Sequence, residues 1–317
     1  MRVAVLLLAL CAGAVHAQTT PEALAMLRKI HQATQKLSYT GTFVWQQGGR
    51  SEISRITRLA DRAGDIEKLE ALDGEPREIV RTRDIVRCFL PESRTVKIER
   101  RGDRRGFPAL LPDHFIELAR HYVITKGEKA RIAGFDCESV ELAPRDELRY
   151  GYRFWADAAT GMLLRAQTVN DKGETVEQFS FTQLTIGGVT RDKVRPRHSA
   201  RDWRVEDATA APANLAASGW TVGADLPGYR KVGEVRRKLR DAPAVGQVVY
   251  SDGLAAVSVF IEPLAGRAEP VRTGLSSLGA VNIFTRQVAN HLVTVVGEAP
   301  AASVQRIGRT VEYRRPQ

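Results

Sequence analysis

The feature that most constrains this chain is an alternation of period two that returns in segment after segment, each segment closed by turn residues. Tyr39, Gly41, Phe43 and Trp45 fall on one side of a strand, and Gln47-Gly48-Gly49 turns the chain into residues 53–59, so the pair reads as a hairpin. Further strands are expected at residues 65–72, 78–82, 85–90 and 95–99, separated by Asp73-Gly74 and Pro91-Glu92-Ser93. Leu148, Tyr150, Tyr152 and Phe154 alternate with Arg149, Gly151, Arg153 and Trp155, and residues 163–169 and 174–186 form a second hairpin about Asn170-Asp171-Lys172-Gly173. There Phe179 and Phe181 share one face, with Val176, Leu184 and Ile186 on the other. Side chains that alternate faces over short, turn-linked runs make an antiparallel sheet.

Helical spacing interrupts this pattern only briefly. Thr20 caps and Pro21 opens a helix over residues 21–37, in which Ala23, Leu27, Ile30, Thr34 and Leu37 form one apolar stripe. Leu111, Phe115, Leu118 and Tyr122 predict a short helix over residues 112–121 that packs across the sheet. Residues 195–219 turn charged, then small, polar and proline-interrupted, as an exposed connection does. Beyond it, strands are expected at residues 229–237, 246–250, 254–264, 280–288 and 291–296, then a helix over 301–307 after Pro300 and a last strand at 310–313. The fold class is therefore α+β, mostly antiparallel β, with a large domain over residues 18–200, a connection at 201–218 and a smaller domain over 219–317.

Met1, Arg2, an apolar run from Val3 to Cys11 and small residues ending Val15-His16-Ala17 have the layout of a secretory signal peptide, cleaved before Gln18. The apolar run falls short of the roughly 20 residues that span a bilayer. Cys11 offers lipid attachment as an alternative, but the bulky Leu10 stands where a small side chain is wanted. The formal charge of +10 becomes +9 when Arg2 leaves, and such a surplus favours anionic partners. Export removes nucleic acid from that class and leaves acidic proteins, anionic lipids and phosphorylated glycans. Cys88 and Cys137 remain after cleavage. In an oxidising compartment they can close a loop of about 50 residues, worth about 4 kcal/mol by the chain-entropy model, with two separate buried thiols as the alternative.

The inventory of reactive groups favours binding over catalysis. His31, His114, His121, His198 and His291 include no pair at zinc spacing, and no metal or cofactor is expected. Gly274-Leu275-Ser276-Ser277-Leu278-Gly279 has leucine where a nucleophile elbow needs glycine, and reads as a loop. Basic residues are dense at Arg81, Arg83, Arg87, Arg94 and Lys97, and among them the candidate anion or partner contacts are Arg100, Arg101, Arg104, Arg105, Arg236, Arg237 and Lys238, with Arg240 close by. A solvated face, with Asp84, Glu92 and Glu99 interspersed, is the competing reading. Tyr39, Phe43, Trp45, Tyr150, Tyr152 and Phe154 either line an acyl-sized groove or fill the core.

Leu148-Arg149-Tyr150-Gly151-Tyr152-Arg153-Phe154-Trp155, Asp157 and Thr160-Gly161-Met162-Leu163-Leu164-Arg165 resemble the RseB/MucB family of periplasmic regulators of sigma-E/AlgU-type sigma factors. Leu226-Pro227-Gly228-Tyr229, Tyr250-Ser251-Asp252-Gly253-Leu254, residues 257–262 and residues 291–300 are similar to the same family in the same order. The resemblance implies a half-open barrel like those of the lipoprotein carriers LolA and LppX, crossed by helices and joined to a smaller C-terminal domain. It implies a periplasmic protein that binds the periplasmic region of a RseA/MucA-type anti-sigma factor, chiefly through its C-terminal domain. The anti-sigma factor would be shielded from the site-one protease and the envelope-stress response restrained. Lipopolysaccharide or mislocalised lipoproteins are the implied release signals, with acyl chains in the carrier-like domain and phosphates on the arginines; self-association into a homo-oligomer is implied too. Outside that family, a lipid or lipoprotein carrier and a hydrolase remain the other readings.

Overall fold

The computed structural model describes residues 19–62, 64–100, 111, 115–208, 210–223, 226–237, 244–264 and 272–315. The segment read as a signal peptide lies outside them. The chain opens with α1 (Pro21–Lys36), whose first turn is fixed by Thr20: its hydroxyl accepts from the Ala23 amide at 3.3 Å, and Pro21 needs no partner there. Ala23, Met26, Leu27, Ile30, Ala33 and Thr34 make the buried face.

A 13-stranded sheet follows, built from β1 (Tyr39–Gln47), β2 (Arg50–Leu59), β3 (Ile66–Ala71), β4 (Glu78–Arg81), β5 (Ile85–Leu90), β6 (Thr95–Arg100), β7 (Tyr122–Lys126), β8 (Ala130–Ile132), β9 (Phe135–Pro144), β10 (Gly151–Asp157), β11 (Leu163–Val169), β12 (Thr175–Ile186) and β13 (Arg204–Asp207). Its order is β13-β6-β5-β4-β3-β2-β1-β12-β11-β10-β9-β7, with β8 also on β9. Two antiparallel meanders thus meet at the β1–β12 pair, and among the described residues only β13 runs parallel to its neighbour. α1 lies over β7, β9 and β11 and leaves the middle of the same face uncovered.

The second sheet has seven strands in the order β14-β16-β17-β18-β21-β20-β19. In chain order the remaining strands are β14 (Ala211–Pro212), β15 (Trp220–Thr221), β16 (Arg230–Arg237), β17 (Val245–Ser251), β18 (Ala256–Pro263), β19 (Gly274–Leu278), β20 (Val281–Val288), β21 (His291–Gly297) and β22 (Glu312–Tyr313). α2 (Ala301–Thr310) packs on β20 and β21, while β15 and β22 form a short separate ribbon.

The structure departs from the sequence reading in several places, each with a local cause. β7, β8 and β9 were not expected: in β9 the buried positions change phase between Ser139 and Val140, so no single alternation runs through it. Tyr122, assigned to a helical stripe, begins β7 after a 3-10 turn at Phe115–Arg120. The strand expected from Leu148 starts only at Gly151. Phe179, Phe181, Leu184 and Ile186 all face one core, because the register steps from Thr42↔Gln183 to Phe43↔Phe181 and the extra Thr182 forms a bulge that flips the phase. Gly41 fits beneath this bulge because an added Cβ would lie 2.7 Å from the Phe181 ring. Residues 274–278, read as a loop, are the edge strand β19. The connection is no bare tether: β13 and β14 extend the two sheets, Trp203 packs edge-on against Phe89 with centroids 6.3 Å apart, and Leu215 is buried in the second core.

The expected Cys88–Cys137 bridge is absent. Cys88 lies on β5 and Cys137 on β9, with seven strands between β5 and β9 in the sheet order, and both are free thiols. A disulfide needs Cα atoms within about 7 Å. Burial pushes both thiols up, Cys137 to about 11, so neither presents a ready thiolate at neutral pH. Mature protein unfolded without reductant is therefore expected to show two titratable thiols, and none if the chain were bridged.

Candidate functional site

The uncovered part of the first sheet's concave face holds a cavity of about 260 Å³. Phe43 and Trp45 of β1, Tyr152 and Phe154 of β10, Ala166 of β11 and Phe179 of β12 supply its apolar wall. Arg77 and Arg81 stand on one side, with Glu52, Glu177 and Glu298 among the wall's polar groups. The second domain contributes Leu254 and Glu298, so this space exists only where the two sheets meet. Four of the six aromatics singled out in the sequence line it. Tyr39 is instead fully buried and edge-on to Phe181 at 6.2 Å, and the Tyr150 hydroxyl accepts from Asn282 Nδ2 at 2.9 Å across the domain joint.

Several of the cavity's polar groups have partners within the protein. Glu177 Oε1 accepts from Trp45 Nε1 at 3.0 Å and Oε2 from Gln47 Nε2 at 3.1 Å. Burial pushes this carboxyl above the usual range against the pull of those two donors. Arg77 lies 3.5 Å from Glu52, and Arg81 is 3.8 Å from Glu67.

Of the candidate anion contacts, Arg100, Arg236 and Arg237 fall within the described residues. Arg100 is exposed at the end of β6, and Arg236 donates to Ser218 Oγ at 3.3 Å. Arg237 is engaged within the protein: it pairs with Glu99 at 2.7 Å and donates to Gln247 and the Ala208 carbonyl, tying the second sheet to β6. Arg101, Arg104, Arg105, Lys238, Arg240 and His114 lie outside the described residues.

Beside the cavity, Arg149 joins the two sheets. Its side chain and that of Asp252 are both 0% exposed, with Nη1 3.0 Å from Asp252 Oδ2. Nε donates to Asp146 Oδ1 at 2.9 Å and Nη2 to the Pro227 carbonyl at 2.5 Å. The Tyr122 and Tyr229 rings flank the guanidinium at 5.7 and 5.5 Å, and the Tyr122 hydroxyl donates to Asp252 Oδ2 at 3.2 Å. Burial opposes the arginine's charge, but the Asp146 hydrogen bond and the Asp252 charge outweigh it and hold its pKa above the ordinary value. Leu148 packs on the second core while Leu254 packs on the first, so the cores interlock around this ion pair. Gly228, at φ +81°, lets the His121 ring lie where a Cβ would collide with it.

Sequence reasoning placed Arg149 among the alternates of the 148–155 strand and left Asp252 between the strands expected at 246–250 and 254–264. The available signal was that Arg149, Pro227, Tyr229 and Asp252 all sit in segments carrying the family resemblance.

Replacing Asp252 with alanine strands a buried guanidinium and should lower stability by about 3–5 kcal/mol, read from the denaturation midpoint, whereas the double change Arg149→Met with Asp252→Leu should regain much of the loss. His121 supplies a pH test. Burial, with the Arg149 charge second, lowers its pKa, so the unfolded chain binds the proton more readily. Stability is full above the ordinary histidine range and is lost as pH falls through it. His121→Gln should flatten that acid limb of the stability profile.

The chain matches the MucB/RseB N-terminal domain over residues 22–202 and the MucB/RseB C-terminal domain over residues 214–312. It is 29% identical to the sigma factor AlgU regulatory protein MucB of Pseudomonas aeruginosa, covering 94% of this chain and 93% of that one. It is 27% identical to the sigma-E factor regulatory protein RseB of Escherichia coli K12, covering 95% and 94%. The structure of the Pseudomonas aeruginosa MucA/MucB complex superimposes with a TM-score of 0.72 at 26% identity, over 93% of this chain and all of its counterpart. That of MucB in complex with MucA(peri) gives 0.70 at 27% identity, over 93% and 100%. With both domains matched in order and nearly end to end, the chain belongs to the MucB/RseB family.

Proposed function

We propose that this protein is a periplasmic regulator that binds the periplasmic segment of a MucA/RseA-type anti-sigma factor, shields it from proteolysis and so restrains an envelope-stress sigma factor. One observation carries the proposal: both domains align over almost their whole length with MucB, which has been crystallised with MucA. The leader-like segment at residues 1–17 supports export to the periplasm. Binding rather than catalysis fits a cavity whose Glu177 carboxylate is engaged by Trp45 and Gln47 and whose Glu52 is paired with Arg77.

The release signal proposed is lipopolysaccharide or a similar amphiphile, with acyl chain in the cavity and anionic headgroup toward Arg77 and Arg81. The aromatic wall and these two cations support that assignment. Such a ligand weakens the anti-sigma complex only by its differential affinity for the form that cannot hold the partner. Self-association is part of the proposal, and light scattering should give a mass above that of one chain. The cavity also suits a second reading, a lipid carrier.

Purified mature protein should slow cleavage of the anti-sigma segment by the site-one protease, and lipopolysaccharide should restore it. Equal cleavage with and without the protein would end the regulatory reading, and amphiphile binding without anti-sigma binding would favour the carrier.

A further inference from the structure

The turn between β17 and β18 belongs to the cavity and to the domain joint at once. Leu254 lines the cavity and packs on the first core. Two residues earlier, Asp252 Oδ2 holds Arg149 Nη1 at 3.0 Å and the Tyr122 hydroxyl at 3.2 Å. The other oxygen, Oδ1, accepts from the Leu254 amide at 3.0 Å and the Ala255 amide at 2.9 Å. Ser251 Oγ closes the turn by accepting from the Gly253 amide at 3.0 Å and donating to the Ala255 carbonyl at 2.8 Å. A turn bonded internally at so many points shifts as one body, and Leu254 cannot move far without carrying Asp252.

A second wall residue reaches the same carboxylate from the opposite side. Tyr152 lines the cavity, its ring lies 6.2 Å from that of Tyr122, and Tyr122 donates to Asp252. Both routes end on a pair of charges that water does not reach. Separating such charges is costly, so the ion pair itself favours the closed joint.

We infer that residues 251–255 are the coupling element of this protein: a molecule that fills the cavity displaces Leu254, draws Asp252 away from Arg149 and loosens the second domain from the first. The inference rests on the cavity reading above and adds to it the residues through which occupancy is felt. A tenfold shift of the joint requires only about 1.4 kcal/mol of differential affinity, well within what a buried acyl chain supplies.

The test uses the full mature chain, with laurate below its micelle concentration as probe. Tryptophan emission reports binding beside Trp45, and hydrogen exchange at the Leu254 and Ala255 amides reports the Asp252 turn. Laurate is expected to change the emission and to speed exchange of both amides about tenfold. Leu254→Ala removes a wall side chain and should bind laurate more weakly; with laurate raised until the emission changes, its two amides should exchange no faster than without laurate. Thr168→Phe, which fills the cavity from β11, should speed those amides with no ligand present; Ala166→Leu takes its place should that variant fail to fold.

Laurate bound with both amides unchanged overturns the coupling while leaving the cavity reading intact. Unchanged emission overturns the cavity reading for this probe, and the filled variant then decides the coupling alone: slow amides in a folded Thr168→Phe protein refute it.

Discussion

A guanidinium sealed from water holds the two halves of this protein together. Arg149 reaches Asp146 in its own domain and both Asp252 and the Pro227 carbonyl in the other, while two tyrosine rings close off its faces. Taking such a charge out of water costs several kcal/mol, and only this full set of partners offsets it. The joint is therefore sensitive to partial engagement: without Asp252, Asp146 is left as the carboxylate partner of a charge buried inside the protein. That makes it a defined contact with two distinguishable conditions, which a surface ion pair of the same length would not be.

The cavity is a consequence of the same arrangement. α1 covers the β7–β9–β11 side of the first sheet and stops short of its middle, where Phe43, Trp45, Phe154 and Phe179 present an apolar surface. The bulge at Thr182 concentrates aromatic groups there by turning Phe179 and Phe181 to the same face as Leu184 and Ile186. Leu254 and Glu298 then close the space from the second domain, and their position depends on how that domain is docked. A partly open cavity walled by two domains depends on their relative placement in a way that a cleft within one sheet does not.

The segments that carry the family resemblance converge in space. Leu148 to Phe154 supplies Arg149 and two cavity walls, Leu226 to Tyr229 supplies a carbonyl and a flanking ring, and Tyr250 to Leu254 supplies Asp252 and the residue that touches the cavity. Read in isolation, each looks like a strand end or a turn. Together they build the joint, which is where the resemblance points for this protein's mechanism.

What the sequence determined by itself was whatever depends on neighbours along the chain. Thr20, Pro21 and the apolar stripe placed α1 to within a residue, and alternation with turn chemistry gave most strands and the antiparallel class. Tertiary structure alone decided what depends on distant partners. β9 and β19 are strands because adjacent strands pair with them, not because of their own alternation. The bulge in β12 is set by its register against β1, and the distance from β5 to β9 across the sheet keeps Cys88 and Cys137 apart. Which aromatics reach the cavity followed from packing across the sheet and the joint: Tyr39 lies inside the first core, Tyr150 at the joint, and the other four on the wall, with Phe43 and Phe154 belonging to that core as well. Arg149 and Asp252 are 103 residues apart, and no local pattern can announce a pair whose meaning lies in the burial of both.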